Sequence, residues 1–86
     1  MMQQTSLMAY VEALERINQN QFIVLKAIDV LGVCNNLQIS EYTHFPINSV
    51  TPRVQELRKM KLVVLDHSGL CPITQRKTMF WRRVKK

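Results

Sequence analysis

Between Asn48 and Lys59, eight of twelve residues are polar or charged: Asn48, Ser49, Thr51, Arg53, Gln55, Glu56, Arg58 and Lys59. Their types suit recognition rather than bond making. Arg and Lys donate to phosphates and to carbonyl or ring-nitrogen acceptors, Asn and Gln offer a donor beside an acceptor, and Ser and Thr do either. No Ser-His-Asp or Cys-His order accompanies them, and with only two glycines the chain holds no Gly-rich phosphate loop. A catalytic site is therefore not expected. Cys34 and Cys71 show no Cys-x-x-Cys spacing. They read as reduced, small hydrophobic residues, and with His44 and His67 poorly placed beside them, no metal or other cofactor is expected.

Charge places these residues in a wider field. Residues 1–50 carry two basic and four acidic side chains, a net of −2, whereas residues 51–86 carry ten and two, a net of +8. A basic half of this kind suits a polyanionic surface. Arg76 and Lys77 form a second basic point beyond Asn48–Lys59, and Arg82, Arg83, Lys85 and Lys86 either add to the field or solvate a strand.

The elements that position these groups follow from apolar spacing. Val50, Val54 and Leu57 repeat at helical intervals, closed by the stem of Lys61. Turned inward, they leave Asn48, Pro52, Gln55, Glu56 and Lys59 facing outward, with Ser49 and Arg53 on one flank and Thr51 and Arg58 on the other. Pro52 lacks an N–H and is tolerated best in a first turn, so the expected start is Asn48 or Ser49, and the expected end Met60 or Lys61. A start at Pro46 would put Pro52 in the second turn and bend the helix. Upstream, Asn35 or Asn36 caps a short helix that carries Leu37 and Ile39 and stops near Thr43, before His44-Phe45-Pro46. His44 stands in the turn, where a left-handed conformation would be strained but tolerable for histidine. Ile39, Thr43 and Phe45 are spaced to meet Val50 and Val54 in one small core.

This run, from Ile39 to Leu62, resembles the helix-turn-helix of winged-helix DNA-binding proteins, the MarR-like and small phage-type ones in particular. Asn48, Ser49, Val50, Thr51, Arg53 and Leu57 stand in the places of that pattern. The resemblance implies that the second helix enters the major groove of double-stranded DNA. Arg53 would then read guanine bidentately, and Asn48 or Gln55 adenine. Ser49 and Thr51 would bond phosphate, and Pro52 would make only an apolar contact, of the kind a thymine methyl offers. Glu56 would repel phosphate unless it met a cytosine amino group or paired with a neighbouring basic side chain. Arg58 and Lys59 extend the face, and Arg76 and Lys77 would touch the backbone or minor groove.

The rest of the chain completes one domain spanning 1–86, with an N-terminal helix in 1–19, a helical core in 20–61 and a β-hairpin wing in 62–84. The first helix, capped by Thr5 or Ser6, reaches about Ile17 with Leu7, Val11 and Leu14 as its apolar face, widened by Met8, Tyr10 and Ala13. The second runs from about Gln21 to Leu31 on Phe22, Leu25, Ile28 and Leu31, capped by Gly32. Leu62–Leu65 reads as a strand, Asp66–Gly69 as turn material, Cys71–Arg76 as a loop and Lys77–Val84 as the second strand. Trp81 reads as a core anchor, with the inward side of Met79-Phe80-Trp81 left open. The fold class is mainly α with a small β-hairpin, a winged helix-turn-helix.

The function this implies is sequence-specific DNA binding by a small transcriptional regulator of the phage or mobile-element kind. The family habit implies a homodimer through the N-terminal helix; if that helix folds on its own core, the chain is a monomer. No secretory signal or bilayer span is expected, hence a cytoplasmic protein that does not engage membranes. Two other readings share the fold. One is a protein-interaction module that modulates a host enzyme through the basic half; the other is a non-specific architectural or RNA-binding protein.

Overall fold

Four helices precede a two-stranded antiparallel hairpin. The computed structural model describes the backbone of residues 2–84 and the side chains of residues 8–84. In order come α1 (Met2–Arg16), α2 (Gln19–Leu31), α3 (Asn36–Thr43), α4 (Ile47–Lys59), β1 (Val63–Leu70) and β2 (Lys77–Arg83).

Two helix starts are set by reciprocal side-chain caps. Asn18 Oδ1 accepts from the Gln21 N–H at 2.8 Å while Gln21 Oε1 accepts from the Asn18 N–H at 3.0 Å. Asn35 and Gln38 repeat this arrangement at 2.9 Å in both directions. Each exchange satisfies two donors that a helix start leaves free, and together they set the starts of α2 and α3. Gly32 closes α2 at φ 81°, and its N–H reaches the Ile28 carbonyl at 2.8 Å. In α1, by contrast, Thr5 and Ser6 lie inside the helix, which begins at Met2, and do not precede it. The side chains of residues 1–7, Leu7 among them, and all of Lys85 and Lys86 lie outside the described residues.

The core gathers Val24, Leu25, Ala27, Ile28, Cys34, Ile39, Val50, Val54, Leu57, Leu62, Val63 and Trp81. Ile39, Val50, Val54 and Leu57 meet in it as their spacing predicts, with Phe45 packed at its edge. Two stripes differ from expectation. On α1 the inward row is Tyr10, Ala13, Leu14 and Ile17, a 3–4 spacing that turns Met8 and Val11 to solvent. On α2 the inward arc is centred on Val24, Leu25, Ala27 and Ile28, because α3, α4 and β2 all pack against this helix, and Phe22 and Leu31 are left exposed.

The turn between α3 and α4 is held by side chains. His44 adopts the left-handed conformation at φ 65° and ψ 14°, and its N–H bonds the Ser40 carbonyl. Ser40 Oγ donates to the Phe45 carbonyl at 2.6 Å, and Thr43 Oγ1 accepts from the Phe45 N–H at 3.2 Å. α4 then begins earlier than its proline suggests. Pro46 is the N-cap residue, and its carbonyl accepts from the Ser49 and Val50 N–H groups at 2.8 and 3.2 Å. Pro52 consequently sits in the second turn, where the missing N–H leaves the Asn48 carbonyl without its helical partner. Asn48 is exposed, so water can serve that carbonyl. Lys61 does not close the inward stripe; it is exposed and left-handed at φ 64°.

The hairpin is longer than its apolar run. Asp66–Gly69 does not turn: β1 continues to Leu70, with His67 opposite Phe80, Ser68 opposite Met79 and Gly69 opposite Thr78. Asp66 is absorbed as the extra residue of a bulge between Leu65 and His67. The reversal falls within Cys71–Arg76, where Gln75 takes φ 64° and the Cys71 N–H bonds the Arg76 carbonyl at 2.8 Å. Alternation along β2 resolves the open question of its faces. Trp81 enters the helical core, and Phe80 is covered on the other side by the His67 ring, stacked at 4.7 Å.

Replacing His44 by glycine removes the cost of a left-handed L-residue, at some cost in unfolded-chain entropy. His44→Gly is expected to raise the unfolding free energy by about 0.5–1 kcal/mol, read as a higher urea midpoint at unchanged slope. A lower midpoint contradicts this account of the turn.

Candidate nucleic-acid interface

The outward side of α4 is built as its spacing requires except at Glu56, which is drawn to the flank by Gln21 of α2. Asn48, Thr51, Pro52, Gln55, Arg58 and Lys59 are exposed, and Ser49, Arg53 and Glu56 are half-buried on the flank that faces α2. Asn48 and Gln55 make no side-chain hydrogen bond among the described residues, so both keep donor and acceptor available. Thr51 is engaged: its hydroxyl donates to the Ile47 carbonyl at 3.1 Å and accepts from Asn36 Nδ2 at 3.4 Å. Arg58 lies with its guanidinium carbon 4.7 Å from the Trp81 ring centre, which fixes its stem while the charge stays exposed. An open groove of about 420 Å³ runs between α4 and β1, lined by Gln55, Arg58, Lys59, Val63, Val64 and Leu65.

Arg53 is tied down more firmly than its place in the sequence suggests. Its Nε and Nη2 donate to the two carboxylate oxygens of Glu56 at 2.8 and 2.9 Å, and Gln21 Nε2 donates to Glu56 Oε1 at 2.8 Å. These bonds, that from Arg53 first, hold the Glu56 carboxyl below its usual range. Glu56 thus pairs with a neighbouring basic side chain, one of the two ways for it to avoid repelling phosphate.

Arg76 and Lys77 are both exposed at the wing turn. At about 3.3 Å per strand residue they stand on the order of 20 Å from the base of the hairpin, so they form a separate contact point beyond α4. Arg82 and Arg83 are largely accounted for internally. Arg82 Nε lies 3.3 Å from Asp66, and Arg83 Nη1 lies 3.4 Å from Asp29. Among the described residues from 51 onward, the cations in no ion pair are Arg58, Lys59, Lys61, Arg76 and Lys77, all of them exposed.

Both cysteines are free and buried, as expected. Cys34 is the small buried hydrophobe expected, its thiol pushed up to about 11 by burial. Cys71 is buried too, but its sulfur caps the wing turn. The Thr74 N–H first, then the Thr74 hydroxyl and the Ile73 N–H, outweigh burial and lower its thiol to about 7. Asn35 Nδ2, itself buried, has no hydrogen-bond partner among the described residues. The signal available in the sequence was the position of Cys71 immediately before Pro72, at the start of a turn. Among the described residues, no group of three or more His, Cys, Asp and Glu side chains could hold a metal ion, and no helix is long and apolar enough to cross a membrane.

The fold is mainly α with a small β-hairpin, in the winged-helix arrangement. Among solved structures it is similar to BpsR of Bordetella bronchiseptica, in a structure concerned with the regulation of that protein's DNA binding by 6-hydroxynicotinic acid. The TM-score is 0.64 and the identity 18%, over 96% of this chain and 64% of that one. The likeness is one of fold, and this chain spans less than two thirds of that protein's length. No protein-family model matches the chain, and no curated protein matches it.

Because the Cys71 thiol is lowered in the folded state, its thiolate contributes stability in full above the unfolded value near 9. That contribution is lost as pH falls through about 7. Thermal unfolding is expected to show a rise in midpoint from pH 7 to 9 that Cys71→Ala lacks. Parallel pH profiles for the two proteins contradict the cap.

Proposed function

We propose that the chain binds double-stranded DNA with sequence preference, as a small transcriptional regulator of the MarR-like or phage-type winged-helix kind. α4 enters the major groove, and the wing lies on the backbone. The observation that carries this reading is the coincidence of three features on one fold. α4 exposes Asn48, Gln55 and Lys59 outward; Arg58 and Lys59 line a groove leading to the hairpin; and the hairpin ends in exposed Arg76 and Lys77. The likeness to a DNA-binding protein supports it. Asn48, Gln55 and Arg53 contact base edges, Ser49 and Thr51 sit close to phosphate, Pro52 makes an apolar contact, and Arg58, Lys59, Arg76 and Lys77 neutralise phosphates.

The active unit in this reading is a homodimer. Exposed Met8 and Val11 on α1 offer apolar surface beside the row that already covers the core, and a second copy is the partner that places two α4 helices on two half-sites. Its work is recognition, with no catalytic step.

Fluorescence anisotropy of a duplex from the gene's own upstream region, set against a scrambled duplex at two salt concentrations, tests the proposal. A preference of about 10³-fold or more is expected. Arg53→Ala is expected to reduce that preference. Lys77→Ala is expected to weaken both duplexes alike and to lower the salt slope by about one. Equal affinity for both duplexes removes the sequence-specific reading, and an absence of binding at low salt removes DNA altogether.

A further inference from the structure

The geometry points to Glu56 as the residue that positions Arg53 for base reading, held in place by Gln21 at the start of α2; the inference rests on the proposed DNA-binding reading. A guanidinium has five N–H donors in a fixed plane. Glu56 occupies the Nε–H and one Nη2 proton through its two oxygens at 2.8 and 2.9 Å. Both Nη1 protons and the second Nη2 proton remain, and one from each nitrogen forms the end edge of the fork. That edge carries two parallel donors at the spacing of guanine O6 and N7. Without Glu56 the side chain, only partly exposed on the α2 flank of α4, would sample many rotamers, and the ordering cost would fall on binding. With Glu56 in place that cost is met in the free protein, and the edge presented to the duplex is already chosen.

Gln21 is what makes Glu56 a fixed post. Its side chain divides two tasks between its atoms. Oε1 accepts from the Asn18 N–H as half of the α2 cap, and Nε2 donates to Glu56 Oε1. The conformation that caps α2 therefore also aims a donor at α4. Asn18, Gln21, Glu56 and Arg53 form a continuous hydrogen-bonded relay from one helix start to the recognition helix, with each link 3.0 Å or shorter. Such a network holds better than an isolated surface pair, which contributes little when exposed. The carboxylate also sets a sign. It lowers the positive charge of α4, so its presence weakens attachment to any duplex while sharpening the choice between duplexes.

That opposition of signs supplies the test. Glu56→Gln, Gln21→Glu and Arg53→Ala are compared with the parent by anisotropy on the preferred and scrambled duplexes, with thermal unfolding as the check on folding. Gln21→Glu keeps an acceptor for the Asn18 N–H but removes the donor to Glu56. Glu56→Gln is expected to reduce the preference by about tenfold or more while affinity for the scrambled duplex holds or rises. Gln21→Glu is expected to reduce the preference with α2 still capped. A merely structural role would lower both affinities together. If Arg53→Ala loses preference while Glu56→Gln and Gln21→Glu keep it, the positioning role is overturned and the DNA reading stands. If Arg53→Ala keeps the parent's preference, Arg53 does not read bases and the inference falls with it. A parent with no preference instead removes the proposed function itself.

Discussion

Two backbone hydrogen bonds between Cys34 and Trp81 join the helices to the hairpin. Cys34 donates to the Trp81 carbonyl at 3.0 Å, and Trp81 donates back to the Cys34 carbonyl at 2.7 Å, adding a one-residue strand beside β2. An isolated two-stranded hairpin is at best marginally stable in water, and this one is held because Trp81 is drawn from it into the helical core. An aromatic side chain that buries about 200 Å² contributes on the order of 5 kcal/mol by area, as an upper bound. The indole N–H is satisfied in the same stroke by Asn36 Oδ1 at 2.8 Å, so the burial leaves no orphaned donor.

The candidate interface follows from that anchor. Asn36, which receives the indole, reaches toward Thr51 on α4 through its other side-chain atom, and Arg58 on α4 lies over the indole ring. The hairpin is thus referenced to α4 on one flank. On the opposite flank Gln21 references α4 to α2 through Glu56. α4 is gripped from two sides, and only its outward residues remain free to meet a ligand. The basic wing turn stands at the far end of a hairpin whose base is fixed.

Much of this was legible in the residues. Ile39, Val50, Val54 and Leu57 declare the helix-turn-helix core through spacing alone, and His44 announces the left-handed turn by standing where the chain must reverse. What stayed hidden required tertiary context. Pro52 argued for a late helix start, yet Pro46 caps α4, because losing one bond to the exposed Asn48 carbonyl is cheaper than unwinding a turn that buries Val50. Asp66–Gly69 has turn composition but pairs as strand, since one bulge absorbs the extra residue. The face of α4 could be laid out by angle. That Gln21, 35 residues from Glu56, holds that carboxylate against Arg53 could not be read from spacing. The capping role of Cys71 depends on the path of a turn whose composition fixes little beyond Pro72.

The most direct test of the interface is a nitrogen–proton correlation spectrum of the labelled protein, titrated with a short duplex at low salt. Shifts confined to the backbone from Asn48 to Lys59 and to the wing turn from Pro72 to Lys77, with α1 and the C-terminal end of α2 unmoved, are the predicted result. Shifts that map to α1 or to the exposed Val30, Leu31 and Val33 instead, or none at all, would contradict a surface formed by α4 and the wing.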